Sequence, residues 1–141
     1  MMLSIKVQGT TVKMSKELYS SMDAQNMAKL VDAFYPKVLK DPIVAPFFIA
    51  KLGDDIESPA WKEHLKLIVE FWKFVALGYD DYTNNPLQPH LAMKDLSREA
   101  FAQWLHLFHE TIYETYVPFA GDYLRDKSSE IADNFMRKLN I

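Results

Sequence analysis

Apolar residues recur at helical spacing along most of this chain, and four stretches hold that spacing long enough to predict long helices. The first starts at Asp23, a good N-cap residue, and runs to about Lys40. It sets Met27, Leu30, Val31, Phe34, Val38 and Leu39 on one face, with Tyr35 beside them. Pro36 removes a backbone donor and crowds the preceding turn, so a kink or an interruption is expected there. Asp41-Pro42 ends the helix, and Ile43 to Phe48, with Pro46 inside, reads as a short apolar connector. The second helix begins at Ser58-Pro59 and closes at Gly78. Its stripe holds Trp61, His64, Leu65, Ile68, Phe71, Trp72 and Val75, with the histidine inside the stripe.

Residues Tyr79 to Pro89 are rich in turn formers, and Pro89 suits the first turn of a short helix carrying His90, Leu91 and Met93. Ser97 caps a third long helix that places Phe101, Trp104, Leu105, Phe108 and Ile112 on one face and ends near Tyr116. Pro118 and Gly121 separate it from a last amphipathic helix with Tyr123, Leu124, Ile131, Phe135 and Leu139. Ahead of all this, residues 1–22 alternate weakly (Leu3, Ile5, Val7) and read as a loosely ordered extension, with room for one helical turn near Lys16–Tyr19. The expectation is an all-α chain with a single domain over residues 23–141.

Composition narrows the chemistry. The chain has 9 Phe, 7 Tyr and 3 Trp in 141 residues, which favours a large core or a planar ligand without choosing between them. A net charge of −3 and a pI near 5.8, with no Lys/Arg cluster, argue against a nucleic-acid partner. The absence of cysteine excludes disulfides, iron–sulfur clusters, thiolate zinc sites and cysteine nucleophiles. Histidine is left as the main ligand for a transition metal. No run approaches the roughly 18 apolar residues of a membrane span, and the N-terminus lacks the pattern of a secretory signal. A cytoplasmic protein without membrane attachment is the expectation.

Of four histidines, His106 points away from the apolar face of its helix and His109 lies at the margin, so both read as surface groups. No Glu-x-x-His pair, His-Glu-x-x-His motif, Gly-rich phosphate loop or Gly-x-Ser-x-Gly elbow occurs. His64 and His90 sit on separate elements with large aromatics around them, an arrangement suited to a flat cofactor gripped from both sides. Taken singly, His64 reads more readily as a hydrogen-bonded core or cleft residue than as a functional one, whereas His90, after a proline-rich loop, is balanced between the two readings. Tyr35 and Trp104 read as core residues whose polar tips find partners.

The combination is more specific. Phe34-Tyr35, Asp41-Pro42, Pro46-Phe47-Phe48, Trp61-x-x-His64, Phe71-Trp72, Tyr82-x-x-x-Pro86-x-x-x-His90-Leu91 and Trp104-Leu105-x-Leu107-Phe108 follow one another in this order. The set resembles the truncated haemoglobins of the third group, over residues from about 23 to 140. The lack of a Gly-Gly pair fits that group. The resemblance implies a globin-like two-over-two helical sandwich holding haem b between the His64 helix and the short His90 helix. It makes His90 the proximal iron ligand and Tyr35, His64 and Trp104 the distal polar residues. Phe48, Phe71, Trp72 and Leu91 would contact the porphyrin. Three positions depart from the pattern: Asn84 stands where a glycine is frequent, Leu67 where a propionate-pairing Lys or Arg is frequent, and Pro36 bears on the aim of Tyr35. Lys51, Lys62, Lys94 and Arg98 are the candidates to replace the missing cation.

A haem iron needs a neutral nitrogen ligand on one face and controlled polarity on the other, which these residues supply. The implied ligands are dioxygen, nitric oxide and carbon monoxide. Donors on the distal side favour retention, hence nitric-oxide-oxidising or peroxidase-like chemistry over oxygen transport. No reductase unit is legible in the chain, so turnover would need an external reductant. A haem-free helical interaction module, with both imidazoles structural, is the rival reading.

Overall fold

The computed structural model describes residues 17–78, 90, 93 and 95–141 in full, and residues 4–7 and 10–13 by their backbone. From residue 24 onward the long described elements are helices: α1 (Ala24–Lys40), α2 (Ala45–Leu52), α3 (Pro59–Leu77), α4 (Arg98–Thr115) and α5 (Pro118–Leu139). Helix α1 packs on α3 and α4, and α4 packs on α5, which gives two helix pairs laid against each other. The shared core holds Met27, Leu30, Val31, Phe34 and Val38 of α1, Trp61 and Trp72 of α3, Phe108 and Ile112 of α4, and Leu124 of α5. A second cluster of Phe101, Ala132 and Met136 closes the far end of the α4–α5 pair.

Helix α1 begins with a full capping box. The Asp23 carboxylate accepts the Asn26 N–H at 2.8 Å, and the Asn26 side chain accepts the Asp23 N–H at 3.0 Å. Asn26 is buried, donates to the Ser21 carbonyl and accepts the Tyr116 hydroxyl, so the start of α1 is tied to the end of α4. Pro36 does not interrupt the helix, which continues to Lys40. It lies beside exposed Asp32 and Ala33, on the side where the carbonyl it leaves unpaired can be hydrated.

The connector expected from Ile43 to Phe48 is in part a helix. Asp41 folds the chain back by accepting the Ile43 and Val44 N–H groups at 2.9 and 3.0 Å, and Pro46 falls in the first turn of α2. A proline there starts a helix instead of breaking one, because the first-turn N–H groups have no partner to lose. Pro118 does the same for α5. Gly121 then lies inside α5 and not between helices. A Cβ on it would sit 2.9 Å from Ile112 Cγ2, so its missing side chain lets α5 pack close on α4.

The strands Ser4–Val7 and Thr10–Lys13 pair antiparallel, a hairpin that the weak alternation did not disclose. Residues 17–19 are not helical. Tyr19 instead bridges the corner after α4, donating to the Thr115 carbonyl at 2.9 Å and accepting the Val117 N–H at 3.0 Å.

The Asn26 junction generates a stability prediction. Asn26→Leu strands the Tyr116 hydroxyl, which is fully buried, and costs about 3 kcal/mol in urea unfolding. Tyr116→Phe leaves Asn26 with its other partners and costs about 1 kcal/mol. Equal losses for the two variants would contradict the junction.

Candidate functional site

Between the helix pairs lies a cavity of about 500 Å³. Interiors of this density normally leave gaps of about one water, so a void this large is a built feature of the size range of ligand pockets. Helical periodicity explains its walls. His64, Ile68 and Phe71 line one side at intervals of four and three residues along α3, and Ser128, Ile131 and Phe135 repeat the spacing along α5. Ala100, Phe101 and Trp104 of α4 complete the α5 side, while Tyr35, Val44 and Phe48 close the end nearest α1 and α2. His90 and Met93 border the same space.

Most of the lining is hydrocarbon, and the polar atoms are few. Tyr35 is 2% exposed, and burial raises its pKa well above the usual phenol range, so its hydroxyl keeps its proton. The Trp104 indole N–H bonds that hydroxyl, a contact that favours the anion but does not overcome burial. Trp104 is itself set by rings, edge-on to Phe34 at 5.1 Å and stacked on Phe108 at 4.9 Å.

His64 is held by three aromatic rings. Tyr35 meets it at 5.3 Å and 90°, Trp61 at 5.5 Å and 88°, and Phe48 at 6.0 Å and 69°. Trp61 is fully buried, and its own N–H is fixed on the Gly53 carbonyl at 2.7 Å, which fixes the clamp. Burial, then the nearby charge of His90, pushes the His64 pKa down to about 4, so the ring is neutral at pH 7. Its Nε2 is buried with no hydrogen-bond partner among the described residues. His90 lies against the opposite pair of helices, stacked on Phe101 at 6.0 Å and tilted against Phe135 at 5.0 Å.

Seven of the eight residues singled out from sequence therefore border one cavity: Tyr35, Phe48, His64, Phe71, Trp72, His90 and Trp104. Leu91 lies outside the described residues, as do Tyr82, Asn84 and Pro86 of the preceding loop and Lys94. His90 is helical, Met93 of its expected short helix is described and is not helical, and Leu91 and Ala92 between them lie outside the described residues. Phe101 and Phe135 went unassigned to the site because only the crossing of α4 and α5 brings them to His90. Ser128 was missed as well. It is 2% exposed, borders the cavity, and sits 3.2 Å from Nε2 of His109, which makes His109 a half-buried interface residue, not a free surface group. His106 is exposed.

Leu67 lines the cavity at its rim, 37% exposed. Of the cations weighed in its place, Arg98 bonds the Ile141 carbonyl and Lys62 stands 3.9 Å from Glu57. No cluster of three or more metal-ligating side chains occurs among the described residues, so a metal held here would bring other ligands with it. A buried, unpaired imidazole nitrogen and a second imidazole on one apolar cavity fit a flat metal chelate.

No protein-family model matches the chain. The group 3 truncated hemoglobin ctb of Campylobacter jejuni is 33% identical over 121 residues, covering 86% of this chain and 94% of that protein. The crystal structure of the group III truncated hemoglobin from Campylobacter jejuni superposes with a TM-score of 0.80 at 32% identity, over 87% of this chain and 95% of that one. Among the described residues, no helix is long and apolar enough to cross a membrane.

The burial of His64 gives a pH dependence with a definite sign. Its pKa falls from 6.5 to about 4 on folding, so below pH 6.5 the unfolded chain takes up a proton that the folded chain refuses. For the chain with no ligand bound, stability is full above about pH 6.5 and drops as the pH falls towards 4, by up to about 3 kcal/mol. His64→Leu flattens that part of the profile. His109, also depressed by burial, adds slope of the same sign, so the readout is the difference between the two proteins in urea unfolding. Parallel profiles would show that the ring is not buried as described.

Proposed function

This chain belongs to the group III truncated haemoglobins, a family of haem proteins within the globins, and on that footing we propose that its cavity would hold haem b with His90 as the residue that ligates the iron. Tyr35, His64 and Trp104 form the ligand side, and Phe48, Phe71, Trp72 and Leu91 pack the ring. The observation that carries the proposal is one apolar cavity of about 500 Å³ bordered by both imidazoles and by the Tyr35–Trp104 pair. A haem-free interaction module is the weaker reading, since it leaves that cavity and the unpaired His64 nitrogen without a use.

Bound haem would supply an iron centre that takes dioxygen, nitric oxide or carbon monoxide and exchanges electrons with it. The protein's part is to orient and to exclude water. Phe101 and Phe135 flank the His90 ring and limit its rotation. Tyr35 stays a phenol and keeps a proton to donate, while the Trp104 N–H on its oxygen strengthens that donation. The surrounding hydrocarbon raises the value of the hydrogen bond to about 1.5–3 kcal/mol for a charge-bearing acceptor.

Retention of this size suits reaction better than delivery. We read the physiological role as oxidation of nitric oxide or reduction of peroxide, with electrons from an external donor. Release of dioxygen is expected to be slow. Because each 1.36 kcal/mol is a factor of ten, Tyr35→Phe should speed release about tenfold or more, and Trp104→Phe should act in the same direction. Stopped-flow displacement of dioxygen by carbon monoxide measures this, and rates unchanged in both variants would remove the argument. The haem assignment itself predicts a Soret band on expression with haem, lost in His90→Ala. Retention of an unaltered band in that variant would exclude His90 as the ligand.

A further inference from the structure

The polar groups around the cavity are not equivalent. The Trp104 indole N–H bonds the Tyr35 hydroxyl oxygen, and the tyrosine keeps its own proton to give. His64 has no such arrangement. Its Nε2 borders the cavity, is buried, and has no partner among the described residues. Leaving a buried polar atom unmatched costs about 1–3 kcal/mol, and leucine would fill this place on the apolar stripe of α3 without that cost. A group kept under such a penalty is a candidate for a partner that arrives with the ligand.

The ring is also fixed. Three rings hold His64 edge-on, and the largest of them, Trp61, is pinned through its N–H to the Gly53 carbonyl. Swinging His64 out to solvent would break three aromatic contacts, each worth about 0.5–1.5 kcal/mol. A ring already ordered loses little rotamer freedom when it binds. Both features favour ligation from within over a gate that opens outward.

We propose that His64 Nε2 would serve as a second imidazole ligand of the ferric iron alongside His90, and that an incoming gas or anion would displace it. This deepens the haem assignment and rests on it. The bond is a lone pair donated by imidazole in exchange for a water. No proton or electron is transferred. The resting protein is then self-capped, and Tyr35 with Trp104 provides the hydrogen bonding once His64 has given way.

The test is the spin state of the haem-loaded ferric protein at neutral pH, by absorption and electron paramagnetic resonance. Wild type is expected to be low-spin with the signature of two imidazole ligands, and His64→Leu and His64→Gln to be high-spin. Cyanide should bind His64→Leu roughly tenfold faster or more, because the competent state is no longer a minor population. A wild-type protein that is high-spin, or a low-spin signal that survives both His64 substitutions, overturns this inference and leaves the haem assignment intact. Failure of the wild-type chain to acquire a Soret band overturns both.

Discussion

Two sets of apolar side chains, those of α3 and those of α4 and α5, face one another across a gap that they do not close. Everything distinctive in this molecule follows from that gap. Its outer parts pack without reserve: Phe34, Phe108 and Trp72 are almost fully buried, and Trp72 stacks on Phe108 at 5.0 Å. A core of that quality would be expected to collapse onto a void of about 500 Å³ unless something else occupied it. Helices α1 and α4, which frame one end of the gap, are tied to each other by polar contacts. Lys37 of α1 bridges Glu110 and Glu114 of α4 at 3.0 and 2.7 Å, and Gln103 donates to Asp41 at 2.6 Å. The exposed ion pairs add little energy. The Asp41 bond does more, because the same carboxylate also folds the turn into α2.

Within the gap, the polar atoms divide the labour between positioning and recognition. Trp61 is far from any reacting atom in role, yet it holds the His64 ring through an edge contact and is itself held by a backbone carbonyl. Trp104 acts in a similar way on Tyr35. The tyrosine is kept protonated by burial, which leaves it a hydrogen-bond donor at the cavity wall. A cavity wall that offers hydrogen-bond donors favours guests that carry partial negative charge over neutral, weakly polar ones.

Much of this was legible in the sequence, and the failures have identifiable causes. Caps marked the helix ends well, because Asp23, Ser58, Ser97 and Gly78 act through local geometry that the sequence states directly. Prolines were read less well. Pro46 and Pro118 looked like breaks but open helices, and Pro36 is accommodated within one; their effect depends on which turn they occupy and which side faces water. Tyr35, His64 and Trp104 stood out as polar tips on apolar stripes. The hydrogen bond between Tyr35 and Trp104 could not be read, since it joins side chains from α1 and α4 that meet only in the folded chain. Phe101 and Phe135 beside His90, and Ser128 beside His109, escaped for the same reason: an apolar or small residue carries no signal of which cavity it will line.

The central claim is that the cavity is the seat of a haem. Titration of the haem-free chain with hemin, read by the thermal unfolding midpoint, tests this most directly, because a ligand bound only by the folded state raises that midpoint with concentration. The account predicts an absorbance endpoint at one hemin per chain and a midpoint that climbs as hemin is added beyond it. Uptake without an endpoint, or saturation with an unmoved midpoint, would mean that hemin meets the surface and that the gap between the helix pairs serves another guest.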